Sequence, residues 1–299
     1  MRIVRCAHAK LNLGLRVGPR RADGYHEVAT ALLAISLADR LEFAPRARGF
    51  RLTVDGPEAR GVPRGPTNLV ARAARALART LGERRGAAIH LTKTIPHGAG
   101  LGGGSSDAAS ALLGLLALWR RTLPRRELEA IAATLGSDVP FFLGPGFAMA
   151  TGRGTELRRL RPPPARGDLR FVVVVPDATV STAWAYANLE IPKSGLTAFG
   201  HIATLVQPRA EAFARQRVKP RLTNDLERVV RPRVPVVAGA LGDLRRAGLR
   251  HVRMSGSGSA VFGLVPVALP SRVVVERLRK SYARVYVARP ARSGSRPCR

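Results

Sequence analysis

Pro96-His97-Gly98-Ala99-Gly100-Leu101-Gly102-Gly103-Gly104-Ser105-Ser106 places five glycines and two serines within eleven positions. Glycine lacks Cβ, so its backbone N–H can approach an anion closely. Ser105, Ser106 and Asp107 suit a helix N-cap. The unpaired N–H groups and dipole of such a terminus attract phosphate. A strand-like run at 87–95 leads in, and a small-residue apolar helix at about 107–119 leads out. The pattern is a phosphate cradle. A P-loop would need Lys then Ser or Thr directly after its last glycine, but Ser105 and Ser106 follow Gly104. Gly98, Gly100 and Gly103 match G-x-G-x-x-G. That motif should open a helix directly after a strand and be followed by an acidic residue about 20 positions on. Here Pro96 breaks the strand early, and residues 120–124 are basic and turn-like. A flexible linker would not be flanked by packed elements. A phosphate loop of another kind remains.

Other residues with chemical potential lie far from this loop in sequence. Residues 7–15 alternate, with Ala9, Leu11, Leu13 and Leu15 on one face and His8, Lys10, Asn12 and Gly14 on the other. Lys10 and Asn12 therefore share one strand face. Lys10 is either a solvated surface lysine or a working ammonium, whose pKa is tunable where a guanidinium's is not. Asp23-Gly24 signals a turn. Tyr25-His26 beside it reads as an ordinary hairpin with a half-buried ring, or as a stacking site for a flat ligand. Asp138 follows Leu135-Gly136-Ser137 and precedes an apolar run. It is either a turn aspartate bonding local N–H groups or a base whose apolar neighbours raise its pKa. Ser255-Gly256-Ser257-Gly258-Ser259 is a second glycine loop. It reads equally as a tight turn or as a partner to the first across a cleft.

The elements that must position these groups are legible in outline. Strands are expected at 29–43 and 50–54. A helix at about 69–81 is capped by Thr67-Asn68 and ended by Gly82. Asn68 serves as that cap or contacts a nucleotide. A further helix starts near Pro124 and stops at Gly136. Residues 160–167 look like a linker, so we expect an N-terminal domain at 1–160 and a C-terminal domain at 161–290. The second domain should hold a buried strand at 171–175 and a segment at 182–188 with Trp184 and Tyr186. It should close with a helix from 270 to about 282 and a strand at 283–287. Residues 190–220 are the least readable. Residues 291–299 are expected to be a disordered tail.

The chain has 299 residues, an ordinary hydrophobic fraction of 45% and a formal net charge of +30. Arginine carries nearly all of that charge and is spread along the chain rather than gathered on one face. This argues against a nucleic-acid binder, while long-range attraction of anionic substrates is expected. Cys6 and Cys298 are too few for a disulfide framework, and a cytoplasmic location is the simplest expectation. No apolar run is long enough to span a membrane.

Ala9-Lys10-Leu11-Asn12-Leu13, residues 96–109 and residues 255–260 together resemble the three-motif pattern of the GHMP kinases (galactokinase, homoserine, mevalonate and phosphomevalonate kinases). Arg21-Ala22-Asp23-Gly24-Tyr25-His26 and Leu135-Gly136-Ser137-Asp138-Val139-Pro140 narrow the resemblance. They look like members acting on a methylerythritol that carries a cytidine diphosphate. Ala99 within the loop and the extreme basicity are departures.

The resemblance implies an α+β, two-domain fold, ribosomal protein S5 domain 2-like at the N-terminus and ferredoxin-like at the C-terminus. It implies ATP-dependent phosphorylation of a hydroxyl in the non-mevalonate route to isoprenoid precursors, with Mg²⁺ as cofactor. Pro96, His97, Gly98, Ala99, Gly100, Leu101, Gly102, Gly103, Gly104, Ser105 and Ser106 would wrap the ATP phosphates. Asp138 would take the hydroxyl proton, with Lys10 beside it. Tyr25, His26 and an aromatic after Thr182, taken as Tyr186, would hold the cytosine. Asn12 and Thr182 would bind the rest of the substrate. No protein ligand of a metal is certain, although Ser105 or Ser106 could contribute one. The alternatives are a GHMP kinase for another alcohol, such as homoserine or a mevalonate derivative, or a basic nucleic-acid-binding protein on this fold. A monomer or homodimer is expected.

Overall fold

The computed structural model describes residues 2–161, 169–191 and 223–298. The expected linker and the stretch at 190–220 fall mostly outside these residues. Two sheets organise the chain. The first is built on two long antiparallel strands, β1 (Ile3–Arg20) and β2 (His26–Arg46). β3 (Phe50–Asp55) and β4 (Gly86–Thr92) are parallel, with β4 against β2. β5 (Phe147–Thr151) pairs with the start of β2, and β6 (Glu156–Arg159) pairs with β5. The second sheet runs β10 (Val285–Ala288), β7 (Phe171–Val174), β9 (Val261–Leu264), β8 (Arg250–Met254), with every pairing antiparallel.

The alternation read in 7–15 is that of β1, but both of its faces are buried. Ala9, Leu11 and Leu13 join Leu33 and Ile35 of β2 against Phe171, Val173 and Phe262 of the second sheet. His8, Lys10 and Asn12 are buried on the other side. Their neighbours there include α2 (Gly103–Trp119). α1 (Leu69–Leu81) fills the crossover between β3 and β4. Asn68 accepts from Val70 N at its start, and Gly82, in the left-handed region, ends it. Val70, Ala73 and Leu77 pack with Leu112, Leu115 and Trp119 of α2 into one core. α3 (Arg125–Leu135) and the short α4 (Val139–Phe142) complete that layer. The second sheet is packed by α6 (Glu227–Arg233), α7 (Pro235–Arg246) and α8 (Ser271–Arg279), while α5 (Thr182–Ala187) lies before them in sequence.

Two expectations need correction. The end of the chain is not a disordered tail. Residues Ser295–Pro297 form β11, antiparallel to β1, and Cys298 is disulfide-bonded to Cys6. Ser295 accepts from Ser110 Oγ on α2 at 2.7 Å, and Gly294 O accepts from His8 N at 3.0 Å. A polar tail is thus held by hydrogen bonds that its composition does not advertise. The helix after the glycine loop also begins at Gly103 rather than Asp107, with Gly102 at its N-cap.

Asp107 is buried because it belongs to an ion cluster. Lys93 Nζ donates to Asp39 and, at 2.8 Å, to Asp107 Oδ2. Asp39 Oδ1 also accepts from Thr94 N and Ile95 N, at 2.5 and 2.8 Å. Lys93 is 2% exposed and Asp39 is fully buried. The cluster therefore pins both sides of the glycine loop to β2. Burial first, then the charge of Asp39, pushes the Asp107 carboxyl above its usual range, with Lys93 opposing. Removing one partner strands a buried charge, so Lys93→Met should lower stability by about 3–5 kcal/mol in urea unfolding. A raised carboxyl pKa means the folded chain holds a proton that the unfolded chain releases. Stability should therefore fall as pH rises above the ordinary aspartate range, and Asp107→Asn should flatten that fall.

Candidate active site

The glycine loop lies between two other segments. Lys10 N donates to Leu101 O at 2.8 Å, and Ala260 N donates to Ala99 O at 3.0 Å. The loop is thereby hydrogen-bonded to β1 on one side and to the second glycine loop on the other. Gly100 O accepts from Lys10 Nζ and from Ser255 Oγ, each at 3.0 Å. A Cβ on Gly100 would run into Ser255 O, and its φ of +76° is in the left-handed region. Gly102, at φ +70°, leaves only 2.9 Å between a would-be Cβ and Phe142 Cζ and 3.0 Å to Lys10 Cγ. The sequence needs glycine at these positions for space as well as for rotation.

Lys10 is the hub of the centre. Its Nζ donates to Asn12 Oδ1 at 2.6 Å and lies 3.7 Å from Asp138 Oδ2. Asn12 Nδ2 donates to Thr30 Oγ1 at 2.8 Å, and Thr30 Oγ1 donates to Gly14 O at 2.7 Å. This chain orients the Asn12 amide, so its oxygen faces the ammonium. Asp138 stands at the N-cap position of α4, with its side chain 37% exposed against 5% for Lys10. Lys10 is therefore embedded, and Asp138 meets solvent.

A cleft of about 800 Å³ opens above this pair. Gly100, Gly102 and Ser105 line it, with Gly256 and Ser257 of the second loop. Thr182, at the start of α5, shares a 2.7 Å hydroxyl–hydroxyl hydrogen bond with Ser257. At another part of the wall, His26 and Tyr186 stack with ring centroids 5.5 Å apart and planes inclined by 29°. Burial, then the Asp138 charge, pushes the Tyr186 phenol up to about 12. Burial and the nearby Arg20 lower the His26 imidazole, which favours its neutral form. Tyr25 is exposed, with the Arg153 guanidinium 5.5 Å over its ring. Trp184 instead lies under Arg233.

The remaining expected residues divide. Ala99, Leu101 and Pro96 are buried, whereas His97 and Gly98 are exposed. Gly103 packs on Ile95, and Gly104 lies near Leu69. Ser106 is buried, and its hydroxyl donates to Gly294 O rather than facing the cleft. Asn68 spends its amide on Val70 N and Pro63 O, so the structure gives it the capping role. Sequence reasoning missed Thr30, Arg153 and Asn224. Asn224 Nδ2 donates to Met254 O and Gly256 O at 2.8 and 2.7 Å and so holds the second loop. Its only sequence signal is the polar run Thr223-Asn224-Asp225. Among the described residues no group of three or more His, Cys, Asp or Glu side chains could hold a metal ion.

The family pattern described as GHMP kinases N terminal domain matches residues 68–146, and that described as GHMP kinases C terminal matches residues 204–287. A 4-diphosphocytidyl-2-C-methyl-D-erythritol kinase from Pelotomaculum thermopropionicum is 41% identical over 97% of this chain and 98% of its own. The chain belongs to the GHMP kinase family. A relative of the same name from Bordetella parapertussis is 44% identical over 90% of this chain and 84% of its own. A crystal structure of 4-(cytidine 5′-diphospho)-2C-methyl-D-erythritol kinase superposes with a TM-score of 0.80 at 39% identity, covering 97% of this chain and 99% of that one. Homoserine kinase from Cytophaga hutchinsonii, at 20% identity and a TM-score of 0.74, shares the GHMP kinase fold. Being a GHMP kinase, the chain is an ATP-dependent phosphotransferase of α+β architecture.

The crowding at Gly100 gives a direct test of the loop packing. Gly100→Ala should cost about 1–3 kcal/mol, the usual range for a residue forced into a strained conformation. Thermal unfolding would register that loss.

Proposed function

We infer that this GHMP kinase transfers the γ-phosphoryl group of ATP to the 2-hydroxyl of 4-(cytidine 5′-diphospho)-2-C-methyl-D-erythritol, in the non-mevalonate route to isoprenoid precursors. One observation carries the choice of substrate: the stacked His26–Tyr186 pair lies in the same cleft as Lys10 and Asp138. A flat base has a platform there, which homoserine or mevalonate would leave unused. The relatives named for this substrate support the reading.

Phosphoryl transfer needs alignment and charge neutralisation more than covalent help from the protein. Asp138 is the exposed carboxylate, placed to accept the proton of the attacking hydroxyl. Lys10, fixed by Asn12 and Gly100 O, holds that carboxylate in place and adds positive charge beside the transferring group. Backbone N–H groups of residues 96–104 and the start of α2 receive the ATP phosphates. Thr182 and Asn12 contact the erythritol and diphosphate portion, and Tyr25 borders the base. Were Mg²⁺ bound, it would supply positive charge that offsets that of the phosphates. The Ser105 hydroxyl and the Asp138 carboxylate, both of residues that line the cleft, would hold it, a donor set that suits an ion coordinated mainly by phosphate and water. We place the enzyme in the cytoplasm, acting as a monomer or homodimer. Among the described residues no helix is long and apolar enough to cross a membrane.

Asp138→Asn keeps the shape and removes the base, so kcat should fall by about 10²–10⁴-fold while ATP binding persists. ADP release with Mg·ATP and the cytidine substrate measures this, and undiminished turnover would remove Asp138 from the role. Loss of stacking in Tyr186→Ala should weaken the cytidine substrate by about 1–3 kcal/mol. Its KM should rise while the KM for ATP stays constant.

A further inference from the structure

A second concavity, of about 530 Å³, shares no lining residue with the cleft. Arginines from four elements converge on it: Arg16 of β1, Arg228 and Arg231 of α6, Arg245 of α7 and Arg253 of β8. Asp225 and Glu227 are its two carboxylates. Both are already engaged. Asp225 accepts from Arg16 at 3.1 Å and from Val17 N at 3.0 Å, and Glu227 accepts from Met254 N at 2.8 Å. Among the described residues that line it, arginines outnumber carboxylates five to two. Among the described residues Arg228, Arg231 and Arg245 have no carboxylate within 4.0 Å. Burial, and then the charges of Arg231 and Arg253, lower the Arg245 guanidinium, with Glu227 opposing.

Like charges gathered around a concavity are relieved by an anion whose charge and size match it. Guanidinium forks bind phosphoryl oxygens in pairs, which lysines do not. The volume exceeds what one phosphate fills, and the concave shape suits a small ligand rather than the ribbon of phosphates along a nucleic acid. We propose that this cavity is a second, non-catalytic site for an oligophosphate anion, two or more linked phosphoryl groups gripped by Arg228, Arg231 and Arg245. The site adjoins the catalytic cleft: Leu15, which lines the cleft, is hydrogen-bonded to Thr223 and Asp225 of the cavity, and a side chain also links the two. Asn224 lines the cavity and donates to Gly256 O, and Gly256 lines the cleft.

Calorimetric titration of the full chain with inorganic diphosphate tests this, with the cleft first saturated by ADP and the cytidine substrate. One diphosphate should bind per chain, and more tightly than inorganic phosphate. Arg231→Gln/Arg245→Gln should weaken it by about tenfold or more, the effect of losing charge-assisted hydrogen bonds, with kcat and both KM values unchanged. Arg272→Gln/Arg279→Gln, on α8, removes the same charge elsewhere and should leave the affinity intact. No binding to the saturated protein would overturn the proposal. Equal weakening by both double variants would also overturn it, because the attraction would then belong to the chain's overall charge.

Discussion

One buried ion cluster fixes the geometry on which the site depends. Lys93, Asp39 and Asp107 join the end of β4, the middle of β2 and the first turns of α2. The glycine loop spans the gap between Lys93 and Asp107, so its two ends cannot drift apart. A glycine-rich segment has large conformational freedom, and fixing it costs backbone entropy. Anchoring both ends by charge in a dry environment limits that freedom before any ligand arrives. Truncating a cluster of this kind is destructive because the surviving charges have no water to turn to.

Lys10 does for the centre what Lys93 does for the loop. Its ammonium touches β1 through Asn12, the glycine loop through Gly100 O and the approach to α4 through Asp138. Three segments distant in sequence meet at one point charge. The two glycine loops face each other there because Gly100 lacks the Cβ that would collide with Ser255. The aromatic platform is assembled separately, from the start of β2 and from α5. The division suits the inferred reaction, in which one region holds the base and another aligns the phosphoryl acceptor.

Much of this was legible in the sequence because it is local. The alternation of β1, the cap at Asn68, the stop at Gly82 and the strand–loop–helix order around the glycines all follow from neighbouring residues. Legibility failed where partners are remote. Lys93 is one of few lysines in an arginine-rich chain, but nothing nearby announced Asp39, 54 positions earlier. Ser106 looked like a loop hydroxyl, yet the helix starts three residues before it and turns it toward Gly294. The last residues looked unstructured because a three-residue strand carries no periodicity; its partner is the first strand of the chain. Asn224 was invisible as a support for the second loop for the same reason. The notion that the two glycine loops meet came from sequence, but the hydrogen bonds and steric limits that join them did not.

The Cys6–Cys298 bond makes the polypeptide a ring. The two residues are 292 positions apart, so nearly the whole chain lies inside the closure. Denaturation of the ring yields a far smaller set of conformations than denaturation of the open chain. On the chain-entropy account that difference favours the folded state by about 5–6 kcal/mol, comparable with the entire stability of many domains. Where thiols are kept reduced, that contribution disappears although every contact in the folded molecule can remain. Preparations of this kinase made with and without reductant would then share a fold and differ in how far they stand from unfolding.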